Sequence, residues 1–460
     1  MKLLKLILLT LCSTLFALQV QAERVSVEKA EKVAQSYVRS SQKLSRQGGF
    51  KLIRTVSKQA KRMQNSTVQY EPMYYVFSSD GNRGFVIVSG DDAAVPVLGY
   101  SNEGAYDETN PNLMYWMEFL SSEIIYAIEK NAAHDAETKA QWEAYENGNL
   151  PAPMSVRDYV EPLMMTKWNQ NAPYSNMCPN NWYTGCVATA MAQIMKFHNH
   201  PAQGTGSHSY NHSTLGQISA NFGNTTYRWD NMTNIYNSSS SAAENSAVAE
   251  LMFHCGVSVE MNYGEDGSGA VSGDVPNALI TYFGYDAGAN YITRNYYSYE
   301  EWINMIKTEL KNYSRPIYYK GSSSAGGHAF VFDGYDENNL VHVNWGWGGS
   351  SDGYFEISAL NPGAIGIGGG SGGYNFIQAM ITGIKPDAGG SASGNEQFGL
   401  TSLSSDKTSL ASTSETFDVW ATNLTNTGGI TISSPYIGVM LCNLDNSYIS
   451  HRTEVRNMNL

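Results

Sequence analysis

Positive charge, cysteine and long apolar runs are all in short supply in this chain. Lysine and arginine total 29 against 42 acidic residues, a formal net charge of −13 over 460 residues. Such a surface repels phosphate backbones, and no basic stripe interrupts it, so nucleic acid is not an expected partner. The five cysteines (Cys12, Cys178, Cys186, Cys255 and Cys442) are too few for a disulfide framework. Whether Cys178 and Cys255 pair stays open at this level. After residue 22 no stretch is apolar for long enough to span a bilayer, so no stable membrane anchor is expected. Hydrophobic residues nevertheless make up 42% and charged residues 15%, the balance of a folded chain with a real core.

The first 22 residues, MKLLKLILLTLCSTLFALQVQA, read as a signal peptide. Lys2 and Lys5 give a positive start, residues 6–18 an apolar stretch, and Val20-Gln21-Ala22 a cleavage site. Leu11 stands before Cys12 where a lipoprotein site would need a small residue. Export in soluble form is therefore expected, to the medium or the cell surface.

Residues 23–155 read as one α+β unit. A helical pattern at 27–37 precedes strand-like runs at 72–78, 84–90 and 95–101 and an amphipathic stretch at 112–130. Residues 132–153 turn polar and end in Gly148, Pro151 and Pro153, as an exposed, cleavable connector would. A second unit, 156–386, begins with helices. Ser298 and Glu301 form a capping box before a helix carrying Trp302, Ile303, Ile306 and Leu310. Strands at 317–320, 328–335, 340–345, 354–358 and 376–385 follow, joined by short turns that imply antiparallel pairing. Helices first and an antiparallel sheet second make an α+β architecture. Residues 387–396 read as a Gly/Ser linker and 397–460 as a β-rich segment, short for a full sandwich.

Two runs carry chemistry. In TGCVATAMAQIMKFH, residues 184–198, Val187, Ala190, Met191, Ile194 and Met195 leave little polar face, so a buried helix is predicted with Cys186 in its first turn. Unpaired amides and the helix dipole at that end favour a thiolate, the nucleophilic form. Gly185 removes bulk beside the sulfur. In SSSAGGHAFVFDGYDENNLVHVNWGWGG, residues 322–349, His328 opens a strand directly after Gly326-Gly327. Its imidazole can take and give a proton near neutrality. His342 on the next strand is its rival, whereas His198, His200, His208, His212 and His254 read as structural. Neither His198-Asn199-His200 nor His254-Cys255 has a second ligand pair at metal-binding spacing, so neither metal nor cofactor is expected.

Together these runs resemble the streptopain family of papain-like bacterial cysteine peptidases, and the resemblance continues through NPGAIGIGGGSGGYNF, residues 361–376. It implies a papain-like catalytic domain with Cys186 as nucleophile and His328 as base and acid. The Trp168, Gln170, Pro173 and Tyr174 pattern implies Gln170 as the oxyanion donor beside the Cys186 amide. Trp345 falls where papain-like sites usually place an orienting asparagine, with Asn344 the less favoured orienter. Gly185, Ser268, Gly269, Gly327, Trp347 and Gly369 are expected beside the substrate. The run GFVIVSGDDAAVPVLGYSNEGAYD, residues 84–107, resembles the family's propeptide. That implies a secreted zymogen acting on protein or peptide substrates, with its own propeptide as intramolecular inhibitor. Another acyl transferase or amidase on the same site, or a non-catalytic secreted binding protein, are the competing readings.

Overall fold

Two units divide the chain in the computed structural model, which describes residues 22–40, 50–62, 67–79, 84–132, 135–148, 158–294, 297–323, 326–360 and 377–389, plus short strands between Phe398 and Arg452. The signal segment, the connector at 149–157, the 366–373 loop and most of the 387–396 linker lie outside the described residues. Among the described residues no helix is long and apolar enough to cross a membrane.

The first unit begins with α1, Val27–Ser40, whose Ala30, Val33, Ala34, Tyr37 and Val38 are buried at helical spacing. Antiparallel strands β1 (Phe50–Ala60), β2 (Gln69–Ser79), β3 (Phe85–Ser89) and β4 (Val97–Ser101) pair in sequence order. Strand β1 was not visible in the pattern because its face is largely exposed, with few apolar positions to mark it. Helix α2, Pro111–Lys130, matches the expected amphipathic stretch. The polar stretch after it is not simply a connector, because residues Ala136–Asn147 form α3. Asp135 caps α3 by accepting the Glu137 and Thr138 N–H groups, and Gly148 ends it in the left-handed conformation. Trp142 buries itself on this unit and donates its indole N–H to the Ala94 carbonyl at 2.9 Å. One buried tryptophan among polar neighbours is too weak a periodicity to read from sequence.

A later stretch, from Gly353 to Leu360, belongs to this first unit. Its strand Gly353–Phe355 pairs antiparallel with β4, Tyr354 lying opposite Tyr100. The buried Glu123 carboxylate accepts the Ala359 N–H at 2.6 Å and the Ser358 hydroxyl at 3.1 Å. A buried carboxylate needs such donors to offset its desolvation.

The second unit takes in Asn110–Asn112, the described residues from Asp158 to Asp352 and those from Ile377 onward. Helix α4, Cys186–His198, buries every residue from Val187 to Met195. At about 1.5–3 kcal/mol for each fully buried large apolar side chain, Met191, Ile194 and Met195 make it the centre of this core. Around it lie a hairpin, β5 (His208–His212) and β6 (Gly216–Ala220), then α5 (Ala242–Ser258) and α6 (Val275–Phe283). Beyond them come strand β7 (Asn290–Thr293) and α7 (Tyr299–Lys307). The predicted capping box is present, with Ser298 and Glu301 bonding each other's backbone N–H. Strands β8 (Ile317–Ser323), β9 (Gly326–Tyr335), β10 (Val341–Asn344) and β11 (Ile377–Thr382) join β7 in the order β10-β9-β8-β11-β7, all antiparallel. Cys178 and Cys255 do not pair. Both are buried free thiols, and the Cys255 sulfur packs 3.6 Å from the Met195 sulfur. Among the described residues of the C-terminal stretch, three short antiparallel pairs form.

Candidate active site

Gly185 caps α4 at φ +85°, where an L side chain is strained. A Cβ there would stand 2.7 Å from the Met261 sulfur and 2.9 Å from the Ser268 carbonyl. The chain therefore enters the helix through a slot only glycine fits, and Cys186 follows as the first helical residue, half-buried and unpaired. Ser268 is held beside this slot, its hydroxyl donating to the Tyr183 carbonyl at 2.6 Å. Gly269 pairs with Asn262 next to it and faces open space.

Burial pushes the Cys186 thiol above its ordinary range, while the backbone N–H groups of Ala329, Val187 and Cys186 itself pull it down. A helix N-terminus alone predicts a lowered value. Here desolvation outweighs it, and the groups that favour the thiolate are backbone amides. The Ala329 contact matters for another reason, since Ala329 is the residue after His328. His328 lies on β9 opposite Gly321 of β8, half-buried, and burial pushes its pKa down. Exposed Gly327 precedes it, opposite Ser322. Ala329 and Val331 belong to the core that includes α4. Phe330 and Phe332 lie on the other side of the strand with Tyr319 and Trp345.

Gln170 is buried, and its carbonyl accepts the Thr184 N–H at 3.0 Å. Thr184 in turn bonds Thr189 at 2.9 Å, and the Thr189 hydroxyl donates to the Gly185 carbonyl at 3.0 Å. This chain of bonds ties the Gln170 backbone to the segment that delivers Cys186. Trp345 is fully buried, edge-on to Phe330 with ring centres 5.0 Å apart. The turn after it bends back over the Gln170 loop, Gly348 donating its N–H to the Trp168 carbonyl at 2.8 Å, with half-buried Trp347 at its tip. The structure thus brings Gly185, Cys186, Ser268, Gly269 and Gln170 around one helix end, places Gly327 and His328 on β9 with Trp345 beside it, and leaves Trp347 in the turn over the Gln170 loop. Gly369 lies outside the described residues.

The rival histidine His342 is tied to Asp333, Nδ1 to Oδ1 at 2.6 Å, rather than to the cysteine. The other five serve the scaffold. His198 and His254 have pKa values pushed down to about 4, mainly by burial, and His254 Nδ1 meets the Tyr227 hydroxyl. His200, His208 and His212 bond Gly284, Glu260 and Tyr263. Asn344 is occupied too. Its Oδ1 accepts from Gln193 at 3.0 Å and its amide donates to the Thr166 carbonyl at 2.7 Å.

That last network escaped the sequence reading. Gln193 Oε1 accepts the Thr166 hydroxyl at 2.9 Å and the Trp168 N–H at 3.3 Å, so one side chain joins α4, the Gln170 loop and the end of β10. Its signal was a glutamine inside a largely apolar helix. Gln193→Leu strands the Thr166 hydroxyl and the Trp168 N–H, while Asn344 Oδ1 keeps the Gly346 N–H, and an unmet buried group costs about 1–3 kcal/mol. The expected outcome is a loss of roughly 2–4 kcal/mol of unfolding free energy, read by urea titration of the Cys186→Ala background.

The Peptidase C10 family matches residues 168–355 and the Spi protease inhibitor family residues 22–124. Streptopain of Streptococcus pyogenes is 37% identical over 319 residues, which cover 64% of this chain and 76% of streptopain. The thiol protease/hemagglutinin PrtT of Porphyromonas gingivalis is 33% identical over 363 residues, 75% of this chain and 40% of PrtT. Among solved structures, a prointerpain A fragment from Prevotella intermedia superposes with a TM-score of 0.57 at 36% identity, covering 72% of this chain and 100% of the fragment. The papain-like α+β fold and the two matched regions agree with these relatives, and the chain belongs to the Peptidase C10 (streptopain) family of cysteine endopeptidases, with an N-terminal inhibitor-type propeptide.

Proposed function

We propose that this chain is an exported zymogen that hydrolyses peptide bonds in extracellular proteins through Cys186 and His328, with Gln170 and the Cys186 backbone amide holding the oxyanion. The observation that carries this reading is the seat of Cys186, where a glycine-only slot starts the helix and the N–H of the residue after His328 reaches the sulfur. The thiolate attacks the scissile carbonyl, and His328 hands its proton to the leaving amine. Water, deprotonated by His328, then releases the acyl group and restores the thiol. Trp345 packs behind His328 in this scheme, while Gly185, Ser268, Gly269, Gly327, Trp347 and Gly369 border the substrate.

Latency has a local correlate. Burial pushes the Cys186 thiol up and the His328 imidazole down, both against the charged forms that attack requires. Asn112 donates its amide to the carbonyls of Ala329, the residue after His328, at 3.3 Å and of Trp345 at 2.6 Å. In this reading residues 23–155 hold the enzyme shut at the high effective concentration of a tethered inhibitor, and Asn112 is part of the hold. Cutting the connector near residues 145–160 releases it. A Cys186→Ala chain should then stay intact on its own and be trimmed in that connector by added wild-type enzyme, as mass spectrometry of the products would show. Trimming at an unrelated position would sink the self-processing part of the proposal.

A further inference from the structure

Behind Trp345 stands a charged cluster that neither the nucleophile nor the oxyanion site uses. Asp352 Oδ1 accepts the Trp345 backbone N–H at 2.9 Å. The residue before it, Ser351, accepts the Trp345 indole N–H on its carbonyl at 3.0 Å. Ser351 is wholly buried and sits at φ +60°, an uncommon conformation for serine. The strained turn lets two successive residues grip one tryptophan, from its backbone and from its ring.

We propose that Asp352 is a positioning residue for peptide hydrolysis: through the Trp345 N–H it fixes the Trp345 ring against Phe330, and so the setting of His328 two residues earlier on the same strand. This inference rests on the peptidase reading, which gives His328 its role.

The groups that face Asp352 set how the grip responds to pH. Among the described residues they include Asp333 of β9, His342 of β10, Lys167 of the loop before Gln170, and the Trp345 N–H itself. Burial pushes the Asp352 carboxyl up to about 7, and Asp333 adds to the rise, while the Trp345 N–H, His342 and Lys167 oppose it. A carboxylate accepts an N–H bond more strongly than a neutral acid does. The grip is therefore tight when Asp352 is ionised and slackens as pH falls through neutrality, so its contribution to turnover grows as pH rises.

Two measurements test this together. In the full-length Cys186→Ala chain with 15N-tryptophan, assigned through Trp345→Phe, the Trp345 amide should titrate near pH 7. That titration should vanish in the Asp352→Asn version. In the matured enzyme, kcat on a fluorogenic peptide should fall below pH 7 with KM nearly constant. Asp352→Asn, which keeps an acceptor oxygen, should flatten that step and retain most of the turnover at pH 8. Asp352→Ala should lose on the order of tenfold to a hundredfold in kcat, the scale of a misplaced catalytic group. A Trp345 amide that does not move between pH 5 and 9 overturns the proposal, as does an Asp352→Ala enzyme with wild-type kcat and pH profile. A wild-type protein that cleaves no peptide counts against the peptidase reading, and the amide titration still decides for or against the Asp352 grip.

Discussion

Cys186→Ala should lower kcat/KM on peptides by at least about ten-thousandfold, and His328→Ala should come close to it. The proposed nucleophile and its base act as a unit. The double variant should therefore be no worse than Cys186→Ala alone, because the two losses are not additive. The structure supplies the control for misfolding. Cys186 is only half-buried at a helix end, and its removal leaves Gly185, the Met261 contact and the Thr184–Thr189 bond in place. The melting temperature should shift by no more than a few degrees, within what about 1 kcal/mol produces in a domain of this size. Steady-state kinetics on chains matured by wild-type enzyme that is then removed would check both parts. Substantial residual turnover in Cys186→Ala would reassign the nucleophile.

Gln170→Ala should cost about a hundredfold to a thousandfold in kcat with little change in KM, the loss typical of one oxyanion donor. The interaction exists only once charge develops on the carbonyl oxygen, so substrate affinity should hardly register it. The backbone makes this a clean experiment. Gln170 anchors the site through its carbonyl, which accepts the Thr184 N–H and survives substitution. An effect confined to KM, or a loss below about threefold, would show that the side chain does not face the reacting carbonyl.

Much of this was legible in the sequence because the relevant signals are local. The buried helix after Gly185 shows in the near absence of polar residues between Val187 and Met195, and the capping box at Ser298 fixes the start of α7. The antiparallel strands around His328 follow from short turns between β-rich runs. What stayed hidden depends on contacts distant in sequence. Gln193 gathers Thr166, Trp168 and Asn344 only once three separate segments meet. The pairing of Gly353–Phe355 with β4 joins residues some 250 positions apart, and no local pattern encodes it. Helix α3 hid behind polar composition with Trp142 as its single large buried residue. The thiol pKa went the other way from the helix-end argument because desolvation depends on everything packed around the sulfur. No local pattern marks Asp352 either, because its carboxylate meets the Trp345 amide only once the turn closes.

One measurement tests the central claim most directly. The purified chain is incubated with casein and dithiothreitol, with and without an irreversible epoxide thiol inhibitor, and the labelled residue is mapped by mass spectrometry. The account predicts cleavage that the inhibitor abolishes, with the label on Cys186. It is contradicted if the chain cleaves nothing even after residues 23 to about 155 are removed and Cys186 stays unlabelled, or if cleavage persists with Cys186 fully modified.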